Sequence, residues 1–464
     1  MQARTYLVKA AEPTVLAGQE FHRLRNNDLN LAFKVDTAHI VPGPIDLARF
    51  DDALARSLSV YPLFAGRIQR GPEYWSIRLV NPGVPVVVLD SDAAREVPHN
   101  CVVQNPWTLT QPFNPHKQWD HDSDEPLLRV TLTRFTKLGS TCVGLSAAHA
   151  ICDGFTIARF LRLLSATYQG LPPPDAPPVY LAPPPTALDP TELARAHAAS
   201  KPVFANTHPL SEPAPFQRAD WVPASRVDLR LTDAQVRRVQ ASVRAMASSE
   251  EEGEGRRISR QDALWALLVY CMARVDPACA PQHLSTIMNA RGVPPRPATA
   301  MTNALIWALT EPVADPAAET VYSIAARVRA SVDAVRRPAF ADAWEAVHGA
   351  IALETANGDC VQNFVQPPGG WILNSTWRFD WTSAHFGYEG KTRFYHTLLP
   401  APRFVKMFAP NPEVLPDGTI QPSPYDVEVT FFLHDEPKAR FRPVLLEELA
   451  KLGVADEPCF VDTA

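Results

Sequence analysis

The sequence predicts an α/β fold divided into two domains, and three observations carry that reading. The chain has 464 residues, more than a single hydrophobic core usually organises. Segments rich in β-branched residues mix with amphipathic helical patterns along its length. A proline-dense stretch, QGLPPPDAPPVYLAPPPTALDP from Gln169 to Pro190, cannot be regular structure, because proline removes backbone donors and clashes with helix. The same character resumes in HPLSEPAPFQ, and the two read together as a crossover stiffened by polyproline geometry. The expected division is a first domain over 1–180, a crossover over 181–220 and a second domain over 221–464.

The elements come in order. TYLVKA reads as a strand, and DLARFDDALARSLSVY places apolar residues at helical spacing behind Asp46, a candidate N-cap. LLRVTLTRF and TCVGLSAAH are strand-like, and GFTIARFLRLLSATY is an apolar-periodic helix. ASSEEEGEGRR is a solvated charge run. SRQDALWALLVYCMARV is a helix with Ser259 as N-cap candidate, SIAARVRASVDAVRR is an amphipathic helix, and YDVEVTFFL returns to strand. No internal sequence repeat is present.

Composition narrows the function. The formal charge of −6 and the lack of a long Lys/Arg block argue against a nucleic-acid surface. The N-terminus, MQARTYLVKAAEP, has no apolar h-region, so no secretory signal is expected, and the run DALWALLVYCMARV is too short to span a bilayer. Seven cysteines without C-x-x-C spacing fit a reduced compartment, so a cytoplasmic protein is expected.

Two stretches read His-x-x-x-Asp, HKQWD from His116 to Asp120 and HAICD from His149 to Asp153. With 13 histidines, on the order of one such pair arises by chance. Only the second is followed by glycine, Gly154. His116 lies in a polar stretch without periodicity, whereas His149 ends a strand-like run and precedes a helix, a place where folds present reactive side chains. In an extended chain the two side chains would lie about 13 Å apart, so they approach only if the chain turns, which Gly154 permits. Asp153 is then placed to cap the helix. Competing chemistries lack their residues. There is no G-x-S-x-G or H-E-x-x-H, and FGYEGKT imitates a phosphate loop but has His385 where the first glycine belongs.

HAICDG has companions in a fixed order. SLSVYPLFAGRI resembles a helix ending in Y-P-x-x-A-G-R, and EPLLRVTLTRF resembles P-L-L-x-V-x-x-T-x-F. ISRQDALWALL resembles S-x-x-D-A-L, IMNARGVPPRP resembles V-D-x-R before prolines, and NSTW with HFGYEGK resembles S/T-S-W followed by D-F-G-W-G-K. The set resembles the BAHD-type acyl-CoA-dependent acyltransferases, in particular the fungal trichothecene acetyltransferase-like members. The resemblance implies two chloramphenicol acetyltransferase-like α/β domains with a channel between them, and a segment near 384–411 crossing back to complete the first domain. It implies acyl-CoA as cosubstrate, no permanently bound cofactor or metal, a small-molecule alcohol or amine acceptor from specialised metabolism, and a monomer.

The same resemblance implies roles. His149 is the general base, which suits an imidazole whose ordinary pKa is about 6.5. Ser375 supplies the oxyanion donor, with the Trp377 indole nearby. Asp153 turns away from the channel and pairs with Arg291, Gly154 makes room for the acyl-CoA arm, and Ser259 approaches the CoA nucleotide. The chain departs from the family at Asn289, where aspartate is usual, and at HFGYEGK, which lacks the aspartate and tryptophan of D-F-G-W-G. Two other readings stay open: a condensation-type enzyme fed by a carrier protein, which usually carries a second histidine where Ala148 stands, and an inactive ligand-binding homologue.

Overall fold

The computed structural model describes residues 3–460 except 13–15, 17, 31–32, 72–73, 93–100, 103–108, 112–122, 182–188, 193, 196–206, 213–217, 219–221, 248–256, 295, 302, 363–365, 367, 399–400, 416–419 and 422–424. HKQWD and most of the expected crossover lie outside the described residues.

The strands of the two large sheets are, in chain order, β1 (Ala3–Val8), β2 (Lys34–Val41), β3 (Val84–Ser91), β4 (Leu128–Phe135), β5 (Ser140–Ala148) and β6 (Ser225–Leu231). They continue with β7 (His283–Asn289), β8 (Leu305–Leu309), β9 (Gly370–Ser375), β10 (Arg393–His396), β11 (Phe404–Phe408), β12 (Val427–Leu433) and β13 (Cys459–Phe460). The main helices are α1 (Leu47–Val60), α2 (Gly154–Gln169), α3 (Asp233–Arg244), α4 (Arg260–Val275), α5 (Val321–Val335), α6 (Pro338–Asn357) and α7 (Asp435–Lys451).

The first sheet runs β1-β3-β4-β5-β2-β10, with only β3 and β4 parallel. The second runs β8-β7-β9-β11-β12-β6-β13, with β7, β9 and β11 mutually parallel. Both are therefore mixed sheets. The returning segment splits between them. β10 pairs with β2 in the first sheet, Arg393 opposite Ile40, whereas β11 belongs to the second sheet, Phe404 opposite Ile372. Only the earlier part of 384–411 completes the first sheet.

Four of these helix starts have a side-chain cap that the sequence supplies locally. Asp46 accepts the Arg49 N–H at 2.8 Å to begin α1, and Asp153 accepts the Thr156 N–H at 2.9 Å to begin α2, which ends at left-handed Gly170. Thr232 with Gln235 and Ser259 with Asp262 form capping boxes on α3 and α4. The helix α6, whose apolar residues show weak one-sided patterning, has no counterpart among the elements read from sequence.

Helices α1 and α2 bury Phe50, Leu54, Phe160 and Leu164 against the first sheet, while α4, α5 and α7 bury Leu264, Leu267, Ile324 and Leu445 against the second. A third apolar cluster forms the seam. Ile306, Ile372 and Phe404 of the second sheet pack there with Phe33 and Leu398, which border strands of the first. Among the described residues, no helix is long and apolar enough to cross a membrane.

Candidate active site

β5 is buried at every residue after its first, flanked by β4 and β2, and so fixes the position of the segment beyond its end. That segment is a one-turn 3₁₀ helix over His149–Ile151, then Cys152, then the Asp153 cap of α2. The chain thus turns at the histidine itself rather than at Gly154. The His149 N–H donates to the Phe33 carbonyl at 2.8 Å, and the Phe33 ring meets the imidazole edge to face at 4.6 Å. The histidine is thereby pinned at the seam, half-buried.

The imidazole partner was not legible in the sequence. His149 Nδ1 lies 3.0 Å from Asn303 Oδ1, across a separation of 154 residues. The Asn303 Nδ2 donates to the His149 carbonyl at 2.7 Å and to Asp28 Oδ1 at 3.2 Å. With both acceptors on the amide nitrogen, the amide oxygen is left to accept from Nδ1–H. That assigns the proton to Nδ1 and leaves the lone pair on Nε2, which has no partner among the described residues.

Asn303 is clamped in turn. The Arg25 guanidinium donates to the Asn303 carbonyl at 3.3 Å and to Glu345 of α6 at 2.6 Å, and Arg296 reaches the other Glu345 oxygen at 2.7 Å. Asp28 also accepts the Arg25 N–H at 3.2 Å. Burial pushes the Asp28 carboxyl up to about 7, while Arg25 and Asn303 hold it down. No signal marks Asp28 in NNDLN or Asn303 in MTNAL, because each has meaning only across the seam.

Asp153 faces away from the imidazole. It pairs with Arg291 through bonds of 2.6 and 3.1 Å, both side chains 2% exposed. It also accepts the Ala304 N–H at 3.2 Å. Burial opposes ionisation, but Arg291 and the Thr156 and Ala304 N–H groups hold the carboxyl below the usual range. Arg291 is itself fully occupied. It donates to Ala300 O, Thr156 Oγ1 and Asn289 Oδ1, and its guanidinium lies 4.5 Å from the Phe155 ring centre. Asn289 also accepts the Arg291 N–H at 3.0 Å, so an amide oxygen serves where aspartate is usual.

Burial pushes the His149 imidazole down to about 4, opposed by the Asp153 charge and the Asn303 bond, with Lys406 pushing further down. The ring is therefore neutral near pH 7. Ser375, at the end of β9, is half-buried, and its Oγ accepts the Trp377 N–H at 3.3 Å, leaving its own O–H to donate. Next to it Thr376, which sequence reasoning missed, carries a buried hydroxyl without a partner among the described residues.

Three residues given roles by the resemblance make contacts of their own. Trp377 commits its indole N–H to the Asp426 carbonyl at 2.7 Å and packs in the second core, so it offers no donor to an oxyanion. A Cβ on Gly154 would lie 3.3 Å from the Phe379 ring and 3.4 Å from the Thr376 methyl, so protein atoms rather than an open channel occupy the space beside it. Ser259 is a helix cap, accepting the Asp262 N–H at 3.1 Å, and only its O–H remains to donate. In HFGYEGK, Phe386 is buried with Phe50 and Tyr168, and its N–H donates to Ser165 Oγ at 2.8 Å. Tyr388 O–H reaches the Pro44 carbonyl at 3.0 Å, so the altered motif locks onto the first domain.

Comparison with known proteins bears on the family and the fold. The model of the Transferase family matches residues 44–390. Acyl transferase 10 of Oryza sativa subsp. japonica is 29% identical over 140 residues, 28% of this chain and 30% of that protein. Taxadien-5-alpha-ol O-acetyltransferase of Taxus chinensis is 35% identical over 121 residues, 26% of this chain and 27% of that protein. The matches thus span about a third or less of the length of these curated relatives. The solved structure of F. sporotrichioides TRI101, complexed with coenzyme A and T-2, superposes with a TM-score of 0.61 at 15% identity, covering 95% of this chain and 99% of that one. The fold is the two-domain chloramphenicol acetyltransferase-like α/β fold. With three quarters of its length matched by the family model, the chain belongs to the Transferase family of BAHD-type acyltransferases.

Proposed function

We propose that this protein transfers an acyl group from acyl-CoA to the hydroxyl, or amine, of a small-molecule acceptor, with His149 as general base. The observation that carries the reading is the Nδ1 tie to Asn303, which leaves a neutral Nε2 lone pair at the seam between the sheets. Nε2 takes the acceptor proton as its oxygen attacks the thioester carbonyl, so the new C–O bond forms without a free alkoxide. The imidazolium that results is stabilised by the bond to its own backbone carbonyl, by the Asp153 charge and by Asn303, which all raise its proton affinity. The tetrahedral oxyanion is met by the free O–H of Ser375. Collapse breaks the C–S bond, and the departing CoA sulfur recovers the proton from Nε2, returning the base to its starting state.

Asp153 and Arg291 act as a brace rather than as reacting groups, and Ser259 lies toward the CoA nucleotide. Acceptors from specialised metabolism fit the family, as does O-acylation, which the name of the Taxus relative specifies for that protein. Seven free cysteines, five of them buried, fit a reducing cytoplasmic setting, and the protein acts as a monomer.

The test is a panel of acyl-CoA thioesters offered with alcohols and amines, read as enzyme-dependent thiol release. Turnover by the parent with free CoA thioesters and its loss in His149→Ala are the expected results. Undiminished turnover by that variant overturns the mechanism, and activity only with carrier-bound thioesters assigns the chain to the condensation-type branch.

A further inference from the structure

The face of the second sheet turned toward the first domain is unusually polar. Along β11, Val405 and Met407 enter the helix-side core, so Phe404, Lys406 and Phe408 point the other way. Lys406 stands opposite Asn374 on β9 and Thr430 on β12, one position from the Ser375–Met407 pair. It is half-buried, and its ammonium lies 5.0 Å from the Phe408 ring centre. His396 stacks on that same ring at 5.0 Å, and both His396 and His149 feel the lysine charge.

Among the described residues the ammonium has no hydrogen-bond acceptor and no counter-ion. The acids on this face are taken. Asp228 pairs with Arg226 at 2.6 Å and accepts the Thr430 O–H at 2.6 Å, while Glu428 accepts the Cys101 N–H at 2.6 Å. The buried Cys101 thiol is held neutral, its proton retained by burial. Burial pushes the lysine down to about 8, so it still carries charge near pH 7. Two further polar groups at this place are unsatisfied. The half-buried Asn374 side chain makes no hydrogen bond among the described residues, and His396, 5% exposed, has a buried and unpartnered Nε2. A half-buried cation beside idle polar groups is stabilised when something of opposite charge completes it.

We infer that Lys406, with Asn374 and His396, forms a subsite for a carboxylate carried by one of the two reactants, beside the His149 base. The inference rests on the acyl-transfer reading for its reactants. The carboxylate comes either from a dicarboxylic acyl-CoA or from an acidic acceptor, and the chemistry recognised is the same in both: a planar anion meeting an ammonium and an amide donor.

Two matched pairs distinguish the sources. Succinyl-CoA against butyryl-CoA differs by a carboxylate at equal carbon number. 3-(4-Hydroxyphenyl)propionate against its methyl ester masks the carboxylate on the acceptor side at the cost of one added methyl. Binding by calorimetry and kcat/KM are measured for the parent, Lys406→Met and Lys406→Arg. In one pair the parent favours the charged member by about tenfold or more, Lys406→Met collapses that ratio mainly through KM, and Lys406→Arg retains part of it. Should Lys406→Met fail to fold, Asn374→Ala shows the same loss in smaller degree. A parent indifferent to charge in both pairs, or a ratio unchanged by the substitutions, overturns the subsite. His149→Ala separates this from the mechanism, because it removes turnover of charged and neutral members alike while the calorimetric preference survives.

Discussion

Asp153 accepts the N–H of Ala304 at 3.2 Å, although the two residues are 151 positions apart and belong to different halves of the chain. The residue before Ala304 is Asn303, the partner of His149 Nδ1. The carboxylate four residues after the histidine therefore acts on it from behind, by fixing the segment that holds the imidazole.

Replacing His149 by Ala is expected to lower kcat by about 10²–10⁴-fold with folding intact, since this is the usual contribution of a positioned base. His116→Ala is expected to match the parent. Steady-state kinetics beside a thermal melt separate loss of chemistry from loss of fold.

Asn303→Leu removes the acceptor that sets the tautomer, so kcat is expected to fall about tenfold or more while KM moves little. Asp28→Asn is expected to act in the same direction more weakly, because the Asn303 amide loses the carboxylate that orients it. A change confined to KM in both variants contradicts a positioning role.

Asp153→Ala and Arg291→Ala each strand a buried charge, and each is expected to cost about 3–5 kcal/mol. The double variant is expected to lose much less than the sum, since the second change removes the charge that the first left behind. Urea unfolding of all four proteins completes the cycle.

The pH dependence stems from the half-buried imidazole. With His149 held at about 4, the acid limb of kcat/KM is expected near pH 4 rather than 6.5. For stability the folded state binds fewer protons at this site than the unfolded state between about 4 and 6.5, so acidification through that window favours unfolding, and above 6.5 the site has no effect. His22 and His39, each also pushed down to about 4 by burial, add slopes of the same sign. Asp28 and Glu428, raised to about 7 by burial, oppose them. Comparing chemical-denaturation midpoints of the parent and His149→Gln across pH 4–7 isolates the histidine.

Ser375→Ala is expected to lower kcat about 100-fold, and Thr376→Val far less. The reverse order, read from kcat at saturating substrates, transfers the oxyanion donor to the buried Thr376 hydroxyl.

The legible parts of this protein were those encoded locally. The β-branched and apolar strand runs, the Asp46 and Ser259 caps and the helix after HAICDG are short-range patterns, and the structure shows each where the sequence pattern lies. The pairing of Asp153 with Arg291 was reachable only through an ordered set of motifs. Asn303, Asp28 and Lys406 were not legible, because each is an unremarkable polar residue until the two sheets meet. Trp377 is a different case. The motif places its indole near Ser375, and its N–H is committed to the Asp426 carbonyl, a partner no spacing reveals.

The pairing of β10 with β2 has a consequence for how the chain is made. When residues 1–180 have left the ribosome, the first sheet holds five of its six strands, and the Lys34–Val41 edge stays unpaired until Arg393–His396 is synthesised. An unpaired edge is a template for wrong partners. A fragment cut at the proline-rich crossover should accordingly aggregate, and supplying residues 384–411 as a separate peptide should rescue its solubility.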